Sequence, residues 1–537
     1  MEPTFLPPAR RAHHEAAGEW PSPSFSDLLA ARARDAANSP YIIEARRDGS
    51  RTYTFEQVNQ RAHLMAAALR TLGIRAGDVV AWQLPNWVEA VALAAAIDRI
   101  GAISCPIISI YRAQEVAFVC QHTSAKILVV PGMVRNFDYR EMASAVQARC
   151  PDLEHVLTVR ADPASGQRAL DALADDAGAA ALPTRRNPHE VSMIFHTSGT
   201  TSDPKGVLHT PATIGGLLHV HRQIFHPSSG DRGLMQFPFP HIGGVLMFGV
   251  LPALYGSSVI LVDGFDPELA LDLIEDFHVT SAGGPPAVLQ AMFRAPNFSA
   301  EKVRSLRTSG SGAADVSPEL IREAKEKLGV FAYRSYGLTE CPMFTCGRPG
   351  DPDAQLHGTD GRPGPGCTAR LVDEQGRAVS AGVEGEIEAF GPQLCVGYRD
   401  PALNNAFTPD GFFRTGDLGV MDADGFVRIT GRRKDIIIRK GENLSAKGIE
   451  DVLAAHPQIA DVAVVGVPDP HTGERVCACI VPRPGASAPS LAMVREFMQA
   501  QGVMMQKIPE QLDVLDELPR NAVGKVRKDL LRARLRS

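Results

Sequence analysis

The sequence lacks any apolar run long enough to span a bilayer. Its most apolar stretch, Val88 to Ile110, is broken by Asp98, Arg99, Gly101 and Pro106. It predicts a buried helix followed by a strand, and no integral membrane segment. No Cys-x-x-Cys pair occurs among the nine scattered cysteines. That removes the usual zinc and dithiol frameworks and leaves reduced thiols in a cytoplasmic protein as the expectation. Cys477 and Cys479 are two apart in a strand-like run, so they are expected on one buried face. Charge of one sign is also scarce. A net charge of −6 over 537 residues argues against a nucleic-acid surface. Only the end is basic, where Arg520, Lys525, Arg527, Lys528, Arg532, Arg534 and Arg536 face the single acid Asp529. No apolar stretch follows Arg10 and Arg11, so no secretory signal is expected. Leu535-Arg536-Ser537 does not match a peroxisomal signal. Internal repeats are missing, and so is the standard G-x-x-x-x-G-K-[ST] phosphate loop.

What is there is a soluble, globular composition, 44% hydrophobic and 22% charged, with length for more than one domain. Residues 1–24 are polar and Pro-rich and are expected to be loosely held. Phe55 to Leu72 has helical spacing, with Val58, Ala62, Met65 and Leu69 on one stripe. Asp266-Pro267 and Ser317-Pro318 read as helix starts. The strands Ser258–Val262, Val279–Ala282 and Val330–Tyr333 alternate with these helices. Such alternation predicts an α/β fold of helix-covered, mostly parallel sheets. Residues 347–434 read as a small β-rich region. After Arg433 the pattern changes to a small α+β domain. The expected division is 1–433 and 434–537.

Two polar loops stand out. Thr197-Ser198-Gly199-Thr200-Thr201-Ser202-Asp203-Pro204-Lys205-Gly206 follows the apolar run Val191 to Phe195 and precedes an expected helix near Val207. Its hydroxyls, glycines and lysine suit a nest of donors around polyphosphate oxygens. A polar surface turn is the alternative for such a composition. Tyr336-Gly337-Leu338-Thr339-Glu340 falls at the carboxyl end of a predicted strand, where ligands sit in open α/β sheets.

These two loops occur in order with Arg414-Thr415-Gly416-Asp417, Gly431-Arg432-Arg433-Lys434-Asp435 and Asn521-Ala522-Val523-Gly524-Lys525. In that order the chain resembles the adenylate-forming superfamily, which includes acyl-CoA synthetases, aryl-CoA ligases, luciferases and adenylation domains. The resemblance covers the chain from about residue 25. It implies that a carboxylate attacks the α-phosphorus of ATP, giving an acyl-adenylate and pyrophosphate. Cations and oriented N–H donors must neutralise the charge that builds there. By this resemblance Thr197, Ser198, Gly199, Thr200, Thr201 and Lys205 wrap the β- and γ-phosphates. Tyr336 stacks on adenine beside Gly337, and Thr339 bonds phosphate oxygens. Glu340 holds Mg²⁺, Asp417 and Arg432 hold the ribose, and Lys525 reaches the α-phosphate. Lys434 is the hinge about which the small domain turns between adenylation and thioester formation, and Gly441 approaches the pantetheine arm of CoA.

Gly310-Ser311-Gly312-Ala313-Ala314 matches the family segment between adenine and acyl group, so Gly312 and Ala313 join the expected nucleotide contacts. Phe237-Pro238-Phe239-Pro240-His241-Ile242 matches the acyl-pocket segment, with His241 gating the tunnel for the CoA thiol. Where amino-acid-activating relatives carry an aspartate, Ile242 stands here. An apolar side chain cannot stabilise an ammonium, so an acid with an apolar body is expected in place of an α-amino acid. The small residues of 310–314 with Gly243 and Gly244 suggest breadth for a medium-chain, carbocyclic or aromatic one. The branch that includes cyclohexanecarboxylate and short- to medium-chain fatty acyl-CoA ligases is the most similar. Ser202 departs from the family's glycine, and Ser445-Ala446 from its usual pair after the CoA loop. The expected partners are the acid, ATP and CoA. A carrier-protein thiol is the alternative acceptor, and the oligomeric state is left open, a homodimer being one candidate. A degenerate nucleotide-binding protein is disfavoured by the presence of Glu340, Asp417, Arg432 and Lys525 together.

Overall fold

A computed structural model describes residues 1–21, 23–177, 187–197, 204–440, 442–521 and 524–536. Two sheets form the large N-terminal part. The seven-stranded one runs in the order Lys205–His209, Met193–Thr197, Ile103–Pro106, Val79–Trp82, Ala125–Pro131, His155–Val159 and Arg168–Ala169. Its interior pairs are parallel, and only the first pair is antiparallel. The second sheet has nine strands, with Phe331–Tyr336, Thr308–Ser311, Ser281–Ala282, Arg232–Met235 and Ser258–Val262 parallel at its centre. The expected α/β class is therefore the observed one.

Local chemistry explains the helices that flank these sheets. Thr54 and Gln57 exchange side-chain and backbone hydrogen bonds, a capping box that starts Phe55–Thr71. Asp266 accepts from the Glu268 and Leu269 amides and Ser317 from Leu320, each just before a proline. Between the sheets, Val88–Arg99 is buried on every side. This is why its sequence carries alanine all round instead of a polar face. Leu93 and Ile97 are wholly buried, each contributing about 1.5–3 kcal/mol relative to exposure.

Four antiparallel strands, Thr368–Val372, Glu384–Phe390, Phe413–Met421 and Val427–Arg432, make the expected β-rich region. One turn of 3-10 helix, Arg433–Asp435, leads from it into a separate C-terminal α+β domain. That domain's sheet contains Glu442–Ser445, Ile436–Arg439, Gly473–Pro482 and Ile459–Asp469, with Gln511–Val514 alongside. Its core is its own, built around Ile449, Leu453, Val464 and Ile480. Cys477 and Cys479 are buried on one face, as expected, in a second cluster of this domain with Val465 and Leu531. Among the described residues no helix is long and apolar enough to cross a membrane.

Two expectations fail. Residues 1–21 are not loosely held. Pro8–Ala16 is a helix whose Arg10 is buried and donates to the carbonyls of Leu394 and Cys395. Thr4 and Phe5 amides donate to Val396, and the Phe5 ring stacks on Phe407 at 4.5 Å. Val207 does not open a helix either. It lies in the strand Lys205–His209, and the helix begins at Pro211, capped by Thr210. Residues 205–209 pair antiparallel with Met193–Thr197, so these five residues are strand and the helix starts after them.

Candidate active site

Thr197 and Lys205 are directly paired at the last step of two antiparallel strands. Ser198, Gly199, Thr200 and Thr201, with Ser202, lie outside the described residues, so the hairpin stem defines where the polar loop starts and ends. The outgoing strand 205–209 is the edge of its sheet, yet it is not bare. Segment 396–399 runs against it, with Val396 N donating to Leu208 O, Leu208 N to Gly397 O and Arg399 N to Gly206 O.

Behind this stem stands Glu340, only 8% exposed. Tyr398 donates its hydroxyl to Glu340 Oε1 at 2.6 Å, and the Lys205 ammonium lies 5.5 Å from the centre of the Tyr398 ring. Among the described residues none donates to Glu340 Oε2. A buried carboxylate with one oxygen held and the other open fits a magnesium ion, which takes one or two carboxylates and completes its shell with phosphate oxygens and water. Thr339 is fixed from the other side, because buried His209 donates from Nε2 to its carbonyl at 2.8 Å. Burial holds His209 down to about 4, so its ring is neutral.

Tyr336, at the end of the strand Phe331–Tyr336, donates its hydroxyl to Asp417 Oδ2 at 2.7 Å. Arg432 Nε meets Asp417 Oδ1 at 3.0 Å, because Asp417 and Arg432 are directly paired across neighbouring strands. Burial, and then Asp417, push the Tyr336 phenol far above its usual range. Asp417 therefore already takes one donor on each oxygen. Each oxygen has a second lone pair, which leaves room for further hydroxyl donors. Gly312 passes so close to Ser335 that a Cβ would lie 2.6 Å from its carbonyl oxygen, and at Gly337 one would lie 2.5 Å from Met343 N. Ala313 adopts φ 62°, a left-handed conformation that costs an alanine about 1–2 kcal/mol.

Tyr336, Gly337, Ala313, Asp417, Arg432, Lys434 and Lys525 all line one cleft of about 820 Å³ between the large part and the C-terminal domain. Asn521 Oδ1 accepts from the Lys525 amide, and Asn521 N donates back to Lys525 O. Burial in the cleft, and next the Arg432 cation, bring Lys525 down to about 7. Asp417 pulls the other way, and Lys434 adds a further lowering. Lys434 itself is lowered, first by desolvation and then by Arg432. Gly441 lies outside the described residues; the preceding Lys440 turns with φ 51°. The two domains are joined across the cleft by Lys447, which pairs with Asp315 of the large part and with Asp451 at 2.8 Å. Ser445 Oγ adds a bond to Thr430 O at 2.6 Å.

His241 stands apart from that cleft. With Thr339 it lines a second, small cavity whose walls include Ile107, Tyr111, Phe195 and Ile242. Burial holds its imidazole down to about 4, and Nδ1 accepts from Gly243 N at 3.2 Å. A π-helix, Gly244–Val250, begins just after it. Thr197, Lys205, Gly312 and Glu340 line neither cavity. Sequence reasoning missed Tyr398, His209, Asp315 and Lys447. Each acts through a partner far away in the chain, and none carries a local signal beyond being polar or aromatic.

The chain matches two family models, AMP-binding enzyme over residues 29–399 and AMP-binding enzyme C-terminal domain over residues 448–525. It is 30% identical to the medium-chain fatty-acid–CoA ligase of Escherichia coli, over 97% of this chain and 92% of that one. It is 31% identical to the salicyl-AMP ligase / salicyl-S-ArCP synthetase of Mycobacterium tuberculosis, over 97% of this chain and 93% of the other. The structure of ATP-bound MatB from Rhodopseudomonas palustris superposes with a TM-score of 0.86 at 29% identity, covering 95% of this chain and 98% of that one.

Proposed function

Because the chain belongs to the AMP-binding enzymes and is an adenylate-forming carboxylic acid ligase, we propose that it converts a carboxylic acid, ATP and CoA into acyl-CoA, AMP and pyrophosphate. The observation that carries this reading is the meeting of Lys525 with Tyr336, Asp417 and Arg432 in one cleft. Tyr336 offers its ring to adenine, and Asp417 and Arg432 take the ribose. Lys525 brings a cation to the α-phosphate and the incoming carboxylate, where charge builds as they approach. The stem residues Thr197 and Lys205 anchor the loop around the β- and γ-phosphates, with Thr339 beside them. Glu340 would hold a magnesium ion there, which would supply charge neutralisation for the pyrophosphate leaving group.

The second half-reaction needs a different face of the C-terminal domain. We place the boundary and the hinge at Lys434, where one short turn joins the two sheets. A few backbone rotations there suffice. Turning would withdraw Lys525 and bring Gly441 to the adenylate, with neutral His241 at the entry of the thiol. Ile242 is buried, 3% exposed, and Phe237 and Phe248 pack edge-to-face nearby. That surface suits an apolar acid of medium-chain, carbocyclic or aromatic type and offers nothing to an ammonium.

The likeness to a salicyl-AMP ligase / salicyl-S-ArCP synthetase supports a second acceptor, a carrier-protein thiol. Pyrophosphate exchange with a panel of such acids tests the first half-reaction, and no exchange with any of them would remove the ligase reading. AMP release that depends on CoA separates the two acceptors. Release with a phosphopantetheinyl carrier and none with CoA would favour the second.

A further inference from the structure

Tyr398 lies in none of the segments singled out by the sequence, yet it touches two of them. Its side chain is 2% exposed, packed against Phe407 and Phe413. Its hydroxyl ends 2.6 Å from Glu340 Oε1. Its ring faces the Lys205 ammonium. Its backbone bridges to Val207, two residues beyond Lys205. A phenylalanine would fill the same space in the core, so packing alone does not account for the hydroxyl.

The chemistry of each contact has a direction. A phenol hydroxyl carries a proton and an ionised carboxylate can only accept, so Tyr398 is the donor to Glu340. An O–H donor on a carboxylate is a strong, charge-assisted bond. It fixes the rotation of the Glu340 carboxyl group and leaves Oε2 as the oxygen available to a metal ion. The aromatic face carries negative potential and holds the ammonium over it. One side chain thus sets the spacing between the metal-binding carboxylate and the lysine at the end of the phosphate loop.

We propose that Tyr398 is a positioning residue for adenylation, aligning Glu340 for the divalent cation through its hydroxyl and Lys205 for the phosphates through its ring. The inference rests on the reading of Glu340 as the magnesium ligand. Removing an outer partner of a metal ligand costs about 10–100-fold in metal affinity or activity.

The test uses Tyr398→Phe, Tyr398→Leu, Glu340→Gln and the double variant Tyr398→Phe/Glu340→Gln in the full chain. Two readouts follow magnesium: ATP binding by calorimetry across a Mg²⁺ titration, and the Mg²⁺ dependence of pyrophosphate exchange. Two controls need no metal: AMP binding, and conversion of preformed acyl-adenylate by the thiol acceptor. Tyr398→Phe should weaken the apparent Mg²⁺ constant at least about tenfold and leave both controls and thermal unfolding near wild type. Tyr398→Leu should also weaken ATP binding at saturating Mg²⁺. In the Glu340→Gln background Tyr398→Phe should shift the Mg²⁺ constant no further. A wild-type Mg²⁺ constant in Tyr398→Phe overturns the proposal, as does a double variant that loses the product of the two single effects. Equal loss of AMP binding and Mg²⁺ affinity assigns Tyr398 to general packing and overturns it too. Wild-type protein without any Mg²⁺-dependent exchange would instead remove the underlying reading of Glu340.

Discussion

Lys525 allows a quantitative test of how the C-terminal domain serves the nucleotide. Burial and Arg432 hold it down to about 7 in the cleft, against 10.5 for an ordinary lysine. A triphosphate arriving beside it favours the cationic form. By linkage, ATP then binds with proton uptake wherever Lys525 is neutral before binding and charged after it. At pH 8 roughly one Lys525 in ten is protonated in the free protein, so ATP binding takes up about 0.9 proton per site. At pH 6 roughly nine in ten are already charged and uptake falls to about 0.1. The sign follows: apparent ATP affinity weakens as pH rises above 7, by up to about tenfold per unit. Calorimetry at both pH values, in buffers of different ionisation enthalpy and without the acid substrate, measures the uptake. Subtracting Lys525→Met removes the nucleotide's own ionisation. The kcat/KM for ATP in pyrophosphate exchange should follow the same ionisation of the free enzyme. Equal uptake at pH 8 in wild type and Lys525→Met would refute the placement of this lysine beside the phosphates.

Other outcomes follow from the same geometry. Lys434→Pro should slow thioester formation far more than adenylation in single-turnover assays, and normal transfer in that variant would displace the hinge. Lys447→Ala removes the cation between Asp315 and Asp451; adenylation should fall about threefold to fivefold, the scale of a partly exposed ion pair, while transfer from preformed adenylate is spared. Arg10→Leu leaves the Leu394 and Cys395 carbonyls without their donor and should lower stability by about 2–4 kcal/mol in urea unfolding.

Much of the fold was legible because it is written locally. The Asp266 and Ser317 caps answer to donors within three residues. The parallel strands answer to continuous apolar runs between them. What failed was written at long range. Arg10 finds its acceptors 384 and 385 residues away, and nothing in residues 1–21 announces them. Val207 read as helix because a five-residue edge strand followed by Pro211 leaves too short a pattern to tell the periods apart. Tyr336, Asp417, Arg432 and Lys525 were singled out through their motifs, and all four line one cleft. Tyr398 and His209 escaped because their partners, Glu340 and Thr339, are distant in sequence and no spacing links them.

The seam along segment 396–399 also bears on solubility. Strand 205–209 would otherwise end the seven-stranded sheet with unpaired amides and carbonyls, an invitation to another chain. Segment 396–399 covers that border, and Thr4 and Phe5 cover segment 396–399 in turn. A variant that detaches residues 1–21 should therefore uncover the outer border of segment 396–399, beginning with the Val396 carbonyl. Self-association through that border, before any loss of the cores, is the failure such a variant should show first.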